Sequence, residues 1–155
     1  ILDRRLGSDV FNEATFATPG GQLVRLLEAR TFSPSQRRPG EPTRLGWFEE
    51  FLLPVADIKA AEHFWERLGF VPAEESEEPF PHIGLTSDSL DVALIGVGAL
   101  TRPALLFTDS SMPARIRALA DKGVEFARLP GKLDPSQHAL LVAPEGTQLL
   151  LTTAE

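Results

Sequence analysis

The apolar residues of Phe48–Val55 predict a β-strand, and Asp57 follows in a position suited to capping a helix. From Ile58 to Leu68, apolar residues stand at positions 61, 64, 65 and 68, which is the i, i+3, i+4, i+7 spacing of an amphipathic helix. Gly69 is a suitable residue to end that helix. This part of the chain is therefore predicted to begin with a strand and a helix.

The same cycle occurs a second time. Ala104–Thr108 is predicted as a strand, and Ser110 and Ser111 are candidate caps for a helix over Met112–Lys122, which Gly123 ends. The glycines that end the two helices are 54 residues apart. The chain therefore contains two successive strand–helix units.

Short apolar segments after each helix predict further strands. These segments are His82–Thr86, Leu90–Val97, Val124–Leu129, Ala139–Val142 and Thr147–Thr153. Between the first helix and His82, Pro72 and the acidic run Glu74–Glu78 predict a loop that could cover a site, with Phe80 at its tip. Two successive βαβββ modules, and hence an α+β fold, are the simplest description.

A repeat with a longer spacing relates Phe11–Glu28 to residues 138–154. At an offset of 125 residues the identical pairs include Ala14/Ala139, Pro19/Pro144, Gly21/Gly146 and Leu26/Leu151. Since Pro144-Glu145-Gly146 predicts a tight turn between the last two strands, the N-terminal segment is predicted to be a similar β-hairpin.

The repeat divides the chain into three predicted parts. Residues 1–30 are interpreted as the closing hairpin of a preceding copy of the domain, whose other strands are not in this chain; an unrelated hairpin is the alternative. Residues 31–46, with three Pro and two Gly, are predicted as a linker. Residues 47–155 are predicted to form one complete domain.

Charge is distributed unevenly between these parts. Residues 1–46 hold seven Arg and five acidic residues, a net charge of +2, whereas residues 47–155 hold eight Lys or Arg and 17 acidic residues, a net charge of −9. The absence of a basic cluster argues against a nucleic-acid partner. No apolar stretch approaches the ~20 residues that span a bilayer, so no membrane partner is expected.

The chain contains no cysteine, which excludes disulfides, thiolate nucleophiles and Cys-ligated metals. Together with the ordinary globular composition, 43% hydrophobic and 24% charged, this predicts a soluble cytoplasmic protein. Chemistry in such a chain would depend on its three histidines and its carboxylates.

Two motifs resemble the vicinal oxygen chelate superfamily, which includes glyoxalase I, extradiol dioxygenases, methylmalonyl-CoA epimerase and the bleomycin-resistance proteins. They are V-A-D-I-x-x-A-x-x-F-W-x-x-L-G-F, beginning at Val55, and P-x-G-x-x-L-x-L, beginning at Pro144. The resemblance covers residues 47–155 and part of the N-terminal hairpin. It implies paired βαβββ modules that form a cup-shaped mixed sheet with the helices outside, and a homodimer.

The resemblance also implies where a metal would bind. Catalysts of the superfamily hold a divalent metal on the first, fourth, fifth and eighth strands, positions that fall here on Glu50, Ala93, Ala104 and Leu150. Only Glu50 can donate an oxygen, whereas a firmly held metal needs three or more protein donors. Arg25 occupies the position of Leu150 in the N-terminal hairpin. The expectation is therefore no metal and no cofactor in this domain.

Alternation along the strands predicts which side chains face the cup. The candidate ligand-binding residues are Phe48, Glu50, Leu52, Ala93, Ala104, Leu106, His138, Gln148 and Leu150. Glu50 is the candidate catalytic residue, because an apolar setting raises a carboxyl pKa and suits a general base or an anchor for a cation. The alternative is that Glu50 is solvated at the mouth of the cup or paired with an Arg.

The histidines are weaker candidates. His138 begins a strand and could reach the rim of the cup, and His82 follows Pro81 at the start of another strand. His63 lies among charged residues on the first helix, where a solvated position is expected.

Three functions follow from these observations. The first is a metal-free protein that binds a hydrophobic or cationic small molecule in the cup. The second is a lyase, isomerase or dioxygenase of the same superfamily whose catalytic metal lies in another copy of the domain. The third is a domain that serves mainly for dimerisation. The apolar, acidic character of residues 47–155 favours the first.

Overall fold

The computed structural model describes residues 1–8, 11–28, 40–77, 80–88 and 90–154, apart from the side chain of Glu74. The chain forms two compact units, Ile1–Glu41 (unit 1) and Pro42–Glu155 (unit 2). Ten strands and two helices lie in the described part. Most of the predicted linker, residues 31–39, lies outside it, so the three-part division of the chain stays a prediction.

Unit 1 is a three-stranded antiparallel sheet in the order β1-β2-β3. Its strands are β1 (Asp3–Arg5), β2 (Glu13–Ala17) and β3 (Leu23–Leu27). The hairpin expected within Phe11–Glu28 is present as β2 and β3, and β1 is a strand that the sequence pattern did not indicate.

Unit 2 contains one seven-stranded mixed sheet in the order β5-β6-β7-β4-β8-β10-β9. Its elements are β4 (Trp47–Val55), α1 (Ile58–Glu66), β5 (Val71–Ser76), β6 (His82–Thr86), β7 (Asp91–Gly96), β8 (Ala104–Asp109), α2 (Met112–Ala120), β9 (Ala139–Val142) and β10 (Gln148–Thr153).

The pairing of these strands shows two modules joined at the centre of the sheet. In each module the first strand lies parallel to the last, β4 to β7 and β8 to β10, with a helix in the connection. The first strands of the two modules, β4 and β8, pair antiparallel with each other. The predicted α+β fold of paired modules, in a mixed sheet with helices outside, is confirmed.

Both helices begin where the sequence predicted. The Asp57 carboxylate caps α1 by accepting a hydrogen bond from the Ala60 N–H at 2.9 Å, and Ala61 and Trp65 are buried against the sheet. Ser111 occupies the N-cap of α2 but makes no capping hydrogen bond with its side chain. Its N–H instead donates to the Asp109 carboxylate at 2.8 Å. Neither helix of the described part is long and apolar enough to cross a membrane.

Two predicted elements were wrong. Val71–Ser76, predicted as a loop, is the edge strand β5, because a register shift between Pro72 and Glu75 accommodates the proline. Val124–Leu129, predicted as a strand, makes a single bridge from Ala127 to Leu140. The neighbouring strand β9 has four residues, so it offers few backbone groups with which residues 124–129 could pair.

Apolar clusters cover both faces of the sheet in unit 2. The cluster on the face away from the helices comprises Leu52, Phe80, Ala93, Ile95, Leu100, Ala104, Leu133, Leu140 and Leu150. The cluster beneath α2 comprises Phe107, Met112, Leu119, Ala139, Leu141 and Leu151. Because the sheet is covered on both faces, its central strands are almost entirely apolar.

Candidate functional site

A cavity of about 570 Å³ opens on the face of the unit 2 sheet that lies away from the helices. It is lined by Glu50, Leu52, Ser76, Phe80, His82, Ile95, Leu106, His138, Leu150, Thr152 and Thr153. A mostly apolar wall with a few polar groups is typical of small-molecule sites.

The cavity brings together five of the nine predicted ligand-binding residues: Glu50, Leu52, Leu106, His138 and Leu150. They come from β4, β8, β10 and the residue before β9, so both modules contribute to the site. The pairing of Glu50 with Leu106 and of Leu106 with Leu150 places three of them side by side across the sheet.

The structure places Ala93, Ala104 and Gln148 outside the lining of this cavity. Ala93 and Ala104 are buried in the core cluster beneath it. Gln148 is partly buried on β10, and its Oε1 has no hydrogen-bond partner among the described residues. The two alanines leave room above them because their side chains are small.

Phe48 faces the other side of the sheet, contrary to the predicted alternation. A β-bulge at Glu49 shifts the register between Phe48 and Glu50. Phe48 is therefore opposite Phe107, with ring centroids 5.8 Å apart, on the face that carries α2. A bulge adds one residue to a strand, and the side chains before it change face.

Six lining residues were not among the predicted ligand contacts: Ser76, Phe80, His82, Ile95, Thr152 and Thr153. Ile95 and Thr152 each stand two residues from a predicted residue on the same strand, Ala93 and Leu150, and so share its face. Ser76 was missed because β5 was predicted as a loop. Phe80, expected at the tip of a covering loop, is instead buried in the core cluster.

Glu50 is the acidic residue in the lining of the cavity. Burial among apolar side chains, followed by the neighbouring charges of Glu49 and Asp91, raises its pKa from 4.5 to about 7. Glu49 accepts a hydrogen bond from the Thr108 hydroxyl at 3.0 Å. Near neutral pH, Glu50 therefore exchanges a proton readily and can serve either as a base or as a partner for a cation.

A smaller recess of about 180 Å³ adjoins Glu50 and is also lined by Glu49, Gly84 and Asp91. A Cβ added to Gly84 would lie 4.0 Å from Glu50 Oε2, so the absence of a side chain at this position leaves space beside the carboxyl group. Glu50 thus lies where the larger apolar cavity meets a more acidic recess.

Two histidines line the cavity with Glu50. His82 Nδ1 lies 2.9 Å from the Phe80 carbonyl oxygen, a contact in which the nitrogen must donate because a carbonyl oxygen only accepts. Burial lowers the pKa of His138, although the charge of Asp134 opposes the shift. His138 Nδ1 is buried and has no hydrogen-bond partner among the described residues.

Few donor atoms stand at the four positions where the resemblance implies metal ligands. Of the four expected ligand positions, three hold Ala93, Ala104 and Leu150, which have no donor atom in their side chains. Within the described ranges, no three His, Asp or Glu side chains are grouped so that they could hold a metal. Glu50, His82 and His138 share the cavity without forming such a group.

No protein-family model matches this sequence, and no curated protein does. Several solved structures are similar in fold. A structure described as an NAD-dependent benzaldehyde dehydrogenase from Legionella pneumophila has a TM-score of 0.55 and 20% identity, over 68% of this chain and 97% of that one. Methylmalonyl-CoA epimerase from Mycobacterium tuberculosis has a TM-score of 0.53 and 16% identity, over 70% and 87%.

The 2,3-dioxygenase LapB from Pseudomonas sp. KL28 matches over a longer part of the chain. Its TM-score is 0.56 at 17% identity, over 98% of this chain and 62% of that one. At identities this low, similarity concerns the fold and does not extend to the activity. The chain therefore shares its fold of paired modules with these three solved structures.

Proposed function

We propose that unit 2 binds a small molecule with an apolar body and a cationic or hydrogen-bond-donating group, and that it does so without a metal in this cavity. The observation that carries the proposal is Glu50, a carboxyl group set in the wall of a largely apolar cavity of about 570 Å³. Buried carboxyl groups are costly unless they are paired or protonated, so a ligand that supplies a charge or a proton gains from this position.

The cavity has a suitable shape for such a ligand. Leu52, Leu106 and Leu150 form an apolar surface on one side of Glu50. The recess beside Gly84 lies on the other side and brings Glu49 and Asp91 close to it. An apolar group would therefore occupy the larger cavity, and a cationic group would point from Glu50 toward the recess.

A thermal-shift screen of small aromatic and aliphatic amines, each paired with its uncharged alcohol analogue, tests this proposal. Several amines are expected to raise the unfolding midpoint of the wild-type chain at pH 8, and Glu50→Gln is expected to remove the advantage of amines over alcohols. Glu66→Gln, which makes the same change in charge on the exposed side of α1, is the matched control. The proposal fails if no amine stabilises the wild-type chain.

A second candidate is an enzyme, which the pKa of Glu50 favours. A carboxyl pKa near 7 suits a general base at neutral pH. In this case the chain would belong to a lyase, isomerase or dioxygenase whose catalytic metal is held by another copy of the domain. Metal analysis by mass spectrometry, after incubation with Ni, Zn, Mn and Fe and dialysis, separates the two. One retained equivalent, lost in Glu50→Gln, would contradict metal-free binding.

We also propose that the chain forms a homodimer and is located in the cytoplasm. Trp47, Phe51 and Val71 are large apolar side chains exposed on unit 2, which supports an interface between copies of the chain. Light scattering after size-exclusion chromatography is expected to give about twice the mass of the 16.9 kDa chain. A mass near that of one chain would contradict the dimer.

A further inference from the structure

The hairpin β2–β3 of unit 1 has the same strand register as the hairpin β9–β10 of unit 2. In β9–β10 the paired residues are Ala139 with Leu151, Leu140 with Leu150, Leu141 with Leu149 and Val142 with Gln148. Subtracting 125 from each number gives Ala14 with Leu26, Thr15 with Arg25, Phe16 with Val24 and Ala17 with Leu23, and all four are paired in unit 1. The repeat seen in the sequence is therefore also a repeat of strand register.

The turns of the two hairpins agree as well. The Thr18 N–H donates to the Gln22 carbonyl at 2.9 Å, and in the second hairpin the Ala143 N–H donates to the Thr147 carbonyl at 2.8 Å. Gly21 and Gly146 close these turns with φ of 82° and 93°, in the left-handed region that favours glycine. The two hairpins thus share their register over four residue pairs and the hydrogen bonds of their turns.

One face of each hairpin is entirely apolar. In unit 2 this face carries Ala139, Leu141, Leu149 and Leu151, which pack in the cluster beneath α2. The equivalent residues in unit 1 are Ala14, Phe16, Val24 and Leu26. Leu151 is 0% exposed, whereas its equivalent Leu26 is 54% exposed. Leu26, on this face in unit 1, is therefore far more exposed than its equivalent beneath the helix of unit 2, while Ala14, Phe16 and Val24 are half-buried.

The edge of β3 that faces away from β2 corresponds to an occupied edge in unit 2. Strand β10 pairs on one side with β9 and on the other, in parallel, with β8. Strand β3 pairs only with β2 among the described residues and is the edge of its sheet. Because donors alternate along an antiparallel strand and the Glu28 N–H faces β2, the N–H groups of Leu23, Arg25 and Leu27 point outward.

We propose that β3 accepts a parallel strand, followed by a helix, from a βαβββ module other than the one that unit 2 contains. The incoming strand would lie along β3 as β8 lies along β10, and its helix would cover Val24 and Leu26 as α2 covers Leu149 and Leu151. The register of the β8–β10 pair places Arg25 opposite the residue equivalent to Leu106.

A second folded copy of this chain does not offer the required strand. Its own β8 is paired on both sides, with β4 and with β10. The edge strands of the unit 2 sheet are β5 and β9, and both belong to antiparallel pairs rather than to a strand–helix crossover. The partner is therefore a module with an unpaired first strand. Unpaired strand edges are regular sites for strand addition.

The test uses the full chain and a synthetic peptide of residues 102–122, which carries β8 and α2. The chain is labelled with nitrogen-15 and titrated with the peptide while its amide spectrum is recorded. Saturable shifts are expected at Leu23, Arg25 and Leu27, and hydrogen exchange of these three amides is expected to slow by at least tenfold. A scrambled peptide is the control. If the amides of β3 do not respond, or respond equally to the scrambled peptide, the proposal is overturned.

Two substitutions sharpen the result. Arg25→Pro removes an outward N–H and is expected to weaken peptide binding by at least tenfold. Arg25→Ala keeps that N–H, and its affinity for the peptide is expected to stay within threefold of the wild-type value. The spectrum of each variant reports whether the hairpin remains folded. If Arg25→Pro instead converts a dimeric chain to a monomer, the edge pairs with a second copy and the proposal is wrong.

Discussion

The hairpins β2–β3 and β9–β10 have the same backbone in different surroundings. Both have the same register and the same turn, and each places four apolar side chains on one face. In unit 2 that face is buried beneath α2, whereas Leu26 in unit 1 is largely exposed. Local sequence thus determines the hairpin, while burial depends on what the rest of the chain provides.

The opposite faces differ in chemistry. Leu150 lies in the wall of the cavity and is 1% exposed, whereas its equivalent Arg25 bonds Glu13 at 2.6 Å and has a side chain that is 60% exposed. A charge at this position is tolerated in unit 1 because it is solvated. The same charge in unit 2 would be placed in the wall of the cavity, beside apolar residues.

Exchanging these two residues gives the largest expected effect. At pH 5, Leu150→Arg should lower the free energy of unfolding by roughly 3–5 kcal/mol, because it buries a cation among apolar side chains while Glu50 holds its proton and cannot pair with it. Arg25→Leu should change it by less than about 1 kcal/mol, since an exposed ion pair contributes little. Urea unfolding followed by far-ultraviolet circular dichroism measures both. Equal losses in the two variants would contradict the difference between the hairpins.

Truncating the equivalent leucines should give the next largest effect. Leu151→Ala is expected to cost about 3 kcal/mol, because it leaves a cavity in the cluster beneath α2. Leu26→Ala should cost less than about 1 kcal/mol in the same urea experiment. A loss of 2 kcal/mol or more in Leu26→Ala would show that a partner already covers this face.

The stability of unit 2 should depend on pH, because Glu50 is partly buried in its cavity. Glu50 holds its proton more tightly in the folded chain than in the unfolded one, so stability should fall as pH rises from about 4.5 to about 7 and should then level off. The expected loss is roughly 1–2 kcal/mol, less than the full shift implies because the group is partly exposed. Glu50→Gln should remove this slope and Glu66→Gln should keep it. If the free energy of unfolding of Glu50→Gln falls with pH as steeply as that of the wild-type chain, burial of the Glu50 carboxyl group does not explain the pH dependence.

Substitutions of the two turn glycines should give the smallest losses of stability, and the two losses should be similar. Gly21→Ala and Gly146→Ala each place a side chain at a positive φ, which costs about 1 kcal/mol. Hydrogen exchange of amides in each hairpin measures the local loss. A large loss at one glycine with none at the other would show that the turns are not equivalent.

Much of unit 2 could be predicted from its sequence, because periodicity and caps act locally. Asp57 and Gly69 bound the first helix as predicted, and apolar segments indicated most strands. The failures depend on tertiary pairing: Val71–Ser76 is a strand because β6 pairs with it, and Val124–Leu129 lacks a long partner.

The candidate site was predicted less completely, for a related reason. Glu50 and Leu150 were found by alternation, but the bulge at Glu49 moved Phe48 to the other face, and nothing in the local pattern marks a bulge. Ser76 reaches the cavity from the edge strand that was missed. Residues brought together by distant strands are the hardest to predict from sequence alone.

Calorimetric titration of phenethylammonium into the wild-type chain and Glu50→Gln, at pH 6 and pH 8, tests the central claim most directly. Ionisation of Glu50 with a pKa of about 7 should make wild-type binding about tenfold tighter at pH 8, because a cation pairs with the carboxylate and not with the acid. Binding to Glu50→Gln should be weak at both pH values. Absence of binding, or equal binding by both chains, would contradict a Glu50-centred site for a cationic ligand.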